Sequence, residues 1–280
     1  MADSYERVGT ELAVITPQIW SKNYYEALLA ELPFNSIVSR DWEGEIQNVG
    51  DRVKIATFPE FSAAAEIAED ASNYADAVTV TSQSLVIDKR IVKDFIITNL
   101  ALTQSLPAMQ KLQDLAIHAI QKRMQALIIA AIVPNAAAPD HSIAYTSGTT
   151  LALADMLAAK ELLDTQDVPM SNRHMVVGAA QLNDLFNITG LMSSDFGVSN
   201  APLLNGNLPS QILGFMPHFT SLVSNTSYFF HSSFMTVAAQ EGMNVKQFDK
   251  GIDGSRAIRV NCDTLFGLKQ LSGLRVVSIA

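Results

Sequence analysis

The amino-acid sequence predicts an α+β fold, and three patterns support this prediction. Apolar and polar residues alternate over residues 51–58, as in a strand with one buried face. Residues 102–133 carry apolar side chains at helical spacing until Pro134. The chain closes, over residues 257–280, on segments rich in aliphatic and β-branched residues. A long helix between strand-rich regions is therefore the expected architecture.

Length and composition favour a protein that works as an assembly. The chain has 280 residues, which is enough for one large domain or two modest ones. Charged residues make up 17% of the chain, against roughly 25% in typical soluble proteins. Because so little of the surface is dedicated to water, we expect much of it to be covered by other subunits.

Charge and cysteine content exclude several classes of protein. Lys and Arg number 19 and Asp and Glu number 28, and this net charge of −9 argues against a general duplex-binding surface. The single cysteine, Cys262, cannot form an internal disulfide or a cysteine-rich zinc site. The longest apolar run, residues 126–133, is too short to span a membrane, and no secretory signal is predicted. Neither a P-loop nor a dinucleotide-binding glycine motif occurs.

The start of the sequence predicts an arm and then a helix. Residues 1–17 have no clear period, and a helical stretch follows from Gln18 to Leu32, where Pro33 ends it. Trp20 and Tyr24 belong to an apolar stripe on this helix. The stripe is either a docking element or a face that packs on the chain's own domain.

A long two-stranded excursion is predicted over residues 51–97. Strand patterns at 51–58 and 78–97 enclose residues 59–77, which contain five acidic residues and no Lys or Arg. This enclosed stretch has too few large apolar residues to fold alone. A two-stranded arm is marginally stable in water, so we expect another surface to pair with it.

The long helix at residues 102–133 would be a rod of roughly 45 Å. Further helices are predicted at 151–163 and 179–186, and strands at 172–178, 212–223 and 227–237. Residues 187–209 read as a long loop. The end of the chain reads as a strand at 257–260, a polar turn at 261–267 and a strand at 274–279.

Four short motifs carry a resemblance to a known family. They are Pro-Gln-Ile-Trp-Ser-Lys at 17–22, Asp-Trp-Glu-Gly-Glu-Ile at 41–46, Asn-Val-Gly-Asp-Arg-Val at 48–53, and the pair Leu-Asn-Gly-Asn-Leu at 204–208 and Ile-Leu-Gly-Phe at 212–215. In their order, and in the order of the predicted elements, they resemble the HK97-fold major capsid proteins of tailed bacteriophages. The resemblance covers essentially the whole chain.

The resemblance implies an HK97-like capsid fold with five regions. These are an N-arm and first helix (1–40), an E-loop β-hairpin with flanking strands (41–97), a P-domain with the spine helix (98–145), an A-domain (146–250) and closing strands of the P- and A-domains (251–280). In this family the E-loop lies across a neighbouring subunit. No lysine lies between Lys54 and Lys89, so a covalent cross-link from the tip of the E-loop is not expected.

The resemblance also implies a structural function. A major capsid protein self-assembles, through hexamers and pentamers, into an icosahedral procapsid and then a head that encloses double-stranded DNA without sequence specificity. The expected partners are further copies of the chain, a portal protein, a decoration protein and a separate scaffolding protein, because no fused scaffolding segment precedes the arm. Assembly is expected in the cytoplasm of the host bacterium, and no membrane is involved. The alternative is an encapsulin-like nanocompartment shell, which shares the fold but loads a cargo enzyme.

Residue types used in catalysis are present but not grouped. The five histidines are scattered along the chain; they are His118, His141, His174, His218 and His231. The serine-rich loops lack a nucleophile elbow. We therefore predict no enzyme activity, no catalytic residue, no cofactor and no metal site. A stand-alone hydrolase and a calcium site in the acidic segment are the alternatives.

Eight residues are predicted to make contacts between subunits. They are Trp20 and Tyr24 on the first helix, Glu66, Glu69, Asp70 and Asp76 in the acidic segment, and Arg256 and Arg259 near the end of the chain. Residues 241–280 contain six Lys and Arg against four Asp and Glu. Ion pairs between the acidic segment of one copy and Arg256 and Arg259 of another are the predicted contact, with packaged DNA as the alternative partner of these arginines.

Overall fold

The computed structural model describes residues 29–45, 52–59, 61, 64, 66, 77–98, 108–188, 209–252 and 255–280. The α+β prediction is confirmed. The strands are β1 (Arg52–Thr57), β2 (Thr81–Thr98), β3 (Ser142–Ile143), β4 (Arg173–Val177), β5 (Met216–Phe219), β6 (Ser227–His231), β7 (Met235–Ile252), β8 (Ser255–Gln270) and β9 (Val276–Ile279). The helices are α1 (Phe34–Ile37), α2 (Ala108–Ala130), α3 (Leu153–Thr165) and α4 (Ala179–Asn187). Short 3-10 turns lie at Glu43–Glu45, Ser232–Phe234 and Gly273–Arg275.

The first sheet contains the predicted excursion. Its strand order is β1-β2-β8-β7, and every neighbouring pair is antiparallel. Strand β1 pairs with the first part of β2, from Arg52 opposite Val86 to Thr57 opposite Thr81. The rest of β2 then pairs with β8 as far as Thr98 opposite Ala257. The two-stranded excursion is thus confirmed, and its base is part of a larger sheet.

Two predictions for the end of the chain are wrong. Residues 261–267 are not a turn but the middle of β8, which lies between β2 and β7. We predicted a turn because these residues are polar. In the structure Asn261 and Asp263 instead use their side chains to bond to β2. The strand predicted at 227–237 is interrupted by the 3-10 turn at Ser232–Phe234: its first part is β6, and its last residues begin β7, which extends to Ile252.

Gly267 allows β8 to approach β2 closely. A Cβ atom at this position would lie 2.2 Å from the carbonyl oxygen of Val86. The pairing of the two strands shifts register here, between Ile87 and Lys89. A glycine is needed at this irregularity because backbone atoms, which cannot move aside like a side chain, fill the space.

The second sheet forms the α/β unit. Its strand order is β3-β9-β6-β4-β5, with parallel pairs at β3–β9 and β4–β5 and antiparallel pairs between them. Helices α3 and α4 pack on one face, where Met156, Leu163, Leu185 and Phe229 are buried in one cluster. Strand β5 is shorter than the predicted 212–223, since Ile212 to Gly214 form a turn with Leu213 and Gly214 at positive φ.

Helix α2 joins the two sheets. Ala116 and Ile120 cluster with Val260 and Cys262 of β8, while Met124 and Ile128 lie in the cluster of Phe230 and Val176 of the second sheet. Its described part has 23 residues, Ala108–Ala130, and is about 34 Å long. The helix ends three residues before the predicted residue 133, and the predicted start at residue 102 lies outside the described residues. No helix in the described ranges is both long and apolar enough to cross a membrane.

Residues 29–45 precede β1 in the chain. They lie where α2 meets the two sheets. Leu29–Leu32 are not helical, so the prediction of a helix through Leu32 is wrong there. Pro33 begins α1 instead of ending a helix, because its φ of −65° suits a first turn. Phe34 is fully buried against Phe230 and Tyr228.

Candidate assembly surfaces

The β1–β2 hairpin carries exposed apolar residues near its tip. Phe58 and Phe61 are 71% and 67% exposed, and Val78 and Val80 are 59% and 51% exposed. Four large apolar side chains beside one acidic segment are unusual for a surface in water. We call these four residues the hairpin tip. Sequence reasoning concentrated on the acidic residues and missed them, although Phe58, Val78 and Val80 flank that segment and Phe61 lies within it.

The four-stranded sheet has one covered face and one open face. Side chains that are directly opposite in an antiparallel pair lie on the same face. Phe95 and its opposite residue Val260 point towards α2 and pack in its cluster. Val92 and Ile96 of β2 and Phe248 of β7 lie on the opposite face of the sheet. Their exposed fractions are 44%, 50% and 51%. We call this surface, centred on β2, β8 and β7, the open face.

A polar network lies among the apolar residues of the open face. Arg259 of β8 forms an ion pair with Asp94 of β2, and Asn261 donates from Nδ2 to Oδ1 of Asp94 at 2.6 Å. The hydrogen bond from Arg259, its charge and that of Arg90, and the bond from Asn261 hold the pKa of Asp94 below its ordinary value, against a smaller opposing effect of burial. The carboxylate therefore stays charged at neutral pH and keeps Arg259 in place.

A second ion pair extends this network along β2. Arg90 donates from Nη2 to Oδ2 of Asp263 at 2.7 Å. The Asp263 side chain is only 7% exposed, whereas that of Arg90 is 64% exposed. Because a guanidinium has five N–H groups, Arg90 and Arg259 can each bind a further acceptor while they hold their own carboxylates.

The predicted contact residues are only partly within the described ranges. Glu66 is exposed, and Arg259 lies on the open face, bonded within its own chain. Arg256 occupies β8 opposite Gly251. Trp20, Tyr24, Glu69, Asp70 and Asp76 lie outside the described residues. The contacts between copies that were assigned to these eight residues stay a prediction.

The structure brings together two of the histidines that the sequence scatters. His174 of β4 and His218 of β5 lie side by side, with Nδ1 of the first 3.1 Å from Nε2 of the second. Sequence spacing could not reveal this, because the strands are separated by α4 and a long connection. No group of three or more His, Cys, Asp or Glu side chains with metal-binding geometry occurs among the described residues.

Comparisons with known proteins agree with this architecture. The family model described as phage capsid protein matches residues 94–266, and no curated protein sequence matches the chain. A solved chain from Mycobacterium phage Che8 has a TM-score of 0.77 and 22% identity, over 94% of this chain and 96% of that one. The capsid structure of cyanophage P-SCSP1u has a TM-score of 0.76 and 12% identity, over 97% and 94% of the two chains. The mature capsid of bacteriophage PhiM1 has a TM-score of 0.70 and 12% identity, over 99% and 96%.

The two kinds of match support different conclusions. The solved structures show the fold, because they share an HK97-type architecture with this chain over almost its full length. The family model spans more than half of the chain, including α2, most of β8 and every strand of the second sheet except β9. The matches are to phage capsids, and they give the nanocompartment alternative no better support. This chain belongs to the phage capsid protein family: it is a non-enzymatic, structural major capsid protein with the HK97-type fold, which self-assembles into the capsid of the virion.

Proposed function

We propose that copies of this protein hold one another by hairpin exchange, in which the hairpin tip of one copy lies on the open face of the next. The observation that carries this proposal is the pairing of two exposed apolar surfaces in one chain. The hairpin tip presents Phe58 and Phe61, and the open face presents Val92, Ile96 and Phe248. Burial of apolar area contributes roughly 25 cal/mol per Å², so joining these surfaces removes the unfavourable exposure of both.

The charges of the two surfaces favour contact between a hairpin and an open face over contact between two hairpins. The segment 59–77 contains five acidic residues and no basic one. The open face contains the exposed Arg90 together with Arg259. Arginines that are already fixed by their own carboxylates lose little side-chain freedom when they bind a second acceptor. The acidic segment of one copy therefore prefers the open face of another copy to an acidic hairpin, which suppresses hairpin-to-hairpin contacts.

Each contact of this kind is modest, and the shell gains its stability from repetition. A copy that gives one hairpin and receives another makes a head-to-tail contact, which closes into a ring when the rotation allows it. Hexamers and pentamers are the proposed rings, with the arm residues Trp20 and Tyr24 as a further clamp between copies. The proposed regions are those predicted from the sequence: 1–40, 41–97, 98–145, 146–250 and 251–280.

The remaining partners are also part of this proposal. The resemblance to tailed-phage capsid proteins supports double-stranded DNA as the content of an icosahedral head, and a portal protein at one vertex. It equally supports a separate scaffolding protein and a decoration protein. Assembly would take place in the host cytoplasm, before the DNA enters the procapsid.

The experiment that tests this function is negative-stain electron microscopy of the purified chain, combined with size-exclusion chromatography. Uniform shells of several tens of nanometres, or capsomer-sized rings, are the expected particles. Small shells filled with dense protein cargo would favour a nanocompartment. A 30.4 kDa monomer that never assembles, even with a crude phage scaffolding extract, would contradict the proposal.

A further inference from the structure

His174 and His218, which we call the histidine pair, lie on the face of the second sheet that residues 29–45 cover. A neutral imidazole has one N–H donor and one bare nitrogen acceptor. The 3.1 Å distance between Nδ1 of His174 and Nε2 of His218 therefore fits a hydrogen bond in which one ring donates and the other accepts. This bond links β4 to the edge strand β5 through side chains, beside the backbone bonds that pair the two strands.

Residues 29–34, which we call the anchor segment, are held by groups next to this pair. Thr220, two residues beyond His218 in the chain, donates from Oγ1 to the carbonyl oxygen of Glu31 at 2.8 Å. The ring of Phe34 stacks on Phe230 at 5.5 Å, and the ring of His174 lies 6.0 Å from that same Phe230. A movement of either histidine is therefore transmitted to a residue that binds the anchor segment.

The other bonds to the anchor segment come from α2. Nε2 of His118 lies 3.1 Å from the carbonyl oxygen of Ala30. Gln125 donates to Oγ1 of Thr220 at 3.0 Å, and this places the hydroxyl for its own bond to Glu31. The anchor segment is thus held from two sides, by α2 and by β5.

The electrostatic surroundings keep the pair uncharged at neutral pH. Burial lowers the pKa of His174 to about 4, and the neighbouring His218 and His231 lower it as well. Burial also lowers the pKa of His218, while Glu31 of the anchor segment acts in the opposite direction. On the adjacent strand, burial together with Arg275 and Arg173 lowers the pKa of His231, and burial raises the pKa of Tyr228.

We propose that His174 and His218 form an acid-sensitive latch, which holds the anchor segment on the second sheet at neutral pH and releases it in acid. One added proton can be shared between the two rings. A second proton leaves two N–H donors facing each other, so the hydrogen bond is lost and two cations lie side by side in a partly buried site. The inference goes beyond the proposed hairpin exchange and does not depend on it.

The direction of the pH effect follows from the lowered pKa values. In the unfolded or released state these histidines titrate near their ordinary pKa of about 6.5. The stabilisation that the uncharged pair gives is therefore fully present above pH 6.5. It is lost progressively as the pH falls from 6.5 towards 4, because the histidines bind protons more readily in the released state than in the docked state.

Hydrogen–deuterium exchange of the full-length chain at pH 7.5 and pH 4.5 tests the latch, with exchange times corrected for the intrinsic effect of pH. The amides of Ser36, Ile37, Val38 and Ser39 report on release, since all four are hydrogen-bonded in the docked state. In the wild-type protein we expect their protection to fall at least tenfold at pH 4.5. Unchanged protection would overturn the proposal.

Two sets of variants assign the effect to the pair. The double variant H174Q/H218Q cannot be protonated at either position, so its protection should change less than twofold between the two pH values. The control H231Q should keep an acid response, because His231 lies on a neighbouring strand and bonds to Ser233 rather than to the pair. An acid response that survives in full in the double variant, or that disappears in H231Q, would contradict the latch. If the double variant is unfolded at pH 7.5, the single variant H218Q replaces it. Its acid response should be smaller than that of the wild type, because only His174 of the pair still titrates, and an unchanged response would contradict the latch.

Discussion

Arg173, at the start of β4, is 2% exposed, and its guanidinium donates from Nη1 to Oδ1 of Asp164 in α3 at 2.6 Å. The same guanidinium donates to the carbonyl oxygens of Val168 and Pro169. Lys160 binds the other oxygen of Asp164 at 2.6 Å. A buried cation is thus matched by one carboxylate and two carbonyls, and this cluster fixes α3 to the sheet.

Removal of Asp164 should therefore destabilise the α/β unit. In D164A the charge of Arg173 stays buried without its carboxylate, and breaking such a pair costs on the order of 3 kcal/mol. Urea unfolding followed by circular dichroism measures this loss. The exposed neighbour Glu161 is the matched control, since E161A should change the stability by less than about 0.5 kcal/mol. Equal effects of the two substitutions would contradict this account.

The same carboxylate predicts how stability depends on pH. The hydrogen bonds from Lys160 and Arg173 and their charges lower the pKa of Asp164, against a smaller effect of burial. A carboxyl group with a lowered pKa stabilises the folded state at pH values above the ordinary pKa of aspartate. This stabilisation is lost as the pH falls through the pKa that the group has in the folded state. The difference between the wild-type protein and D164N should therefore be constant from pH 8 to pH 5 and shrink in stronger acid. A difference that grows in acid would be inconsistent with the ion pair.

Substitution of Gly267 should disturb the base of the hairpin. In G267A the new methyl group meets the carbonyl oxygen of Val86 at 2.2 Å, so β2 and β8 must separate locally. We expect a loss of about 2 kcal/mol or more in urea unfolding, together with poorer assembly. G242A is the control, because a Cβ at Gly242 has no neighbour within 4 Å. A fully stable G267A variant would show that the strands tolerate a wider spacing.

Deletion of residues 59–77 should separate folding from assembly. This segment lies between β1 and β2 in the chain, and its described residues belong to no buried cluster, so the truncated chain should fold, as judged by circular dichroism and a cooperative melt. Size-exclusion chromatography should then find monomers in place of rings or shells. Shells of normal size from this variant would remove the role that we assign to residues 59–77.

Apolar residues of the hairpin tip can be tested without shortening the chain. The variant F58S/F61S removes two exposed rings, and it should keep the stability of the monomer while it lowers assembly at least tenfold. M170S is the matched control, because Met170 is 69% exposed but lies outside both proposed surfaces. Assembly yield is measured by sedimentation and negative-stain microscopy. The hairpin exchange predicts that F58S/F61S assembles poorly and that M170S assembles like the wild type.

Charge reversal tests the direction of the exchange. Glu66 and Glu69 changed to Lys should weaken assembly, and R256E should do the same, because each reversal places like charges opposite each other. Arg256 is one of the two arginines for which the sequence predicts a contact with the acidic segment. Combining the three changes should restore part of the yield, most clearly at low salt, where screening is weakest. If the combination assembles worse than either parent, the acidic segment does not face Arg256.

The sequence predicted the local elements better than the pairing of distant strands. Apolar and polar residues largely alternate over residues 52–57, and α3 and α4 follow clear apolar spacing, so these elements are found within two or three residues of their predicted bounds. Strand β8 was missed because Asn261 and Asp263 look like turn residues until β2 supplies Asp94 and Arg90 as partners. The open face depends on the pairing of β2, β8 and β7, and the histidine pair depends on the pairing of β4 with β5. No local pattern encodes either of these long-range pairings.

The position of β8 and β9 has a consequence for the timing of synthesis. Strand β8 is an inner strand of the first sheet, and β9 is an inner strand of the second, yet both follow all other strands in the chain. The first sheet therefore cannot close until translation has passed residue 270, and the second cannot close until it has passed residue 279. The open face, which includes β8, does not exist on nascent chains that end before residue 270. Chains on the same polysome therefore cannot start a shell through this face before each is complete through β8, and the strand order itself delays association until after folding.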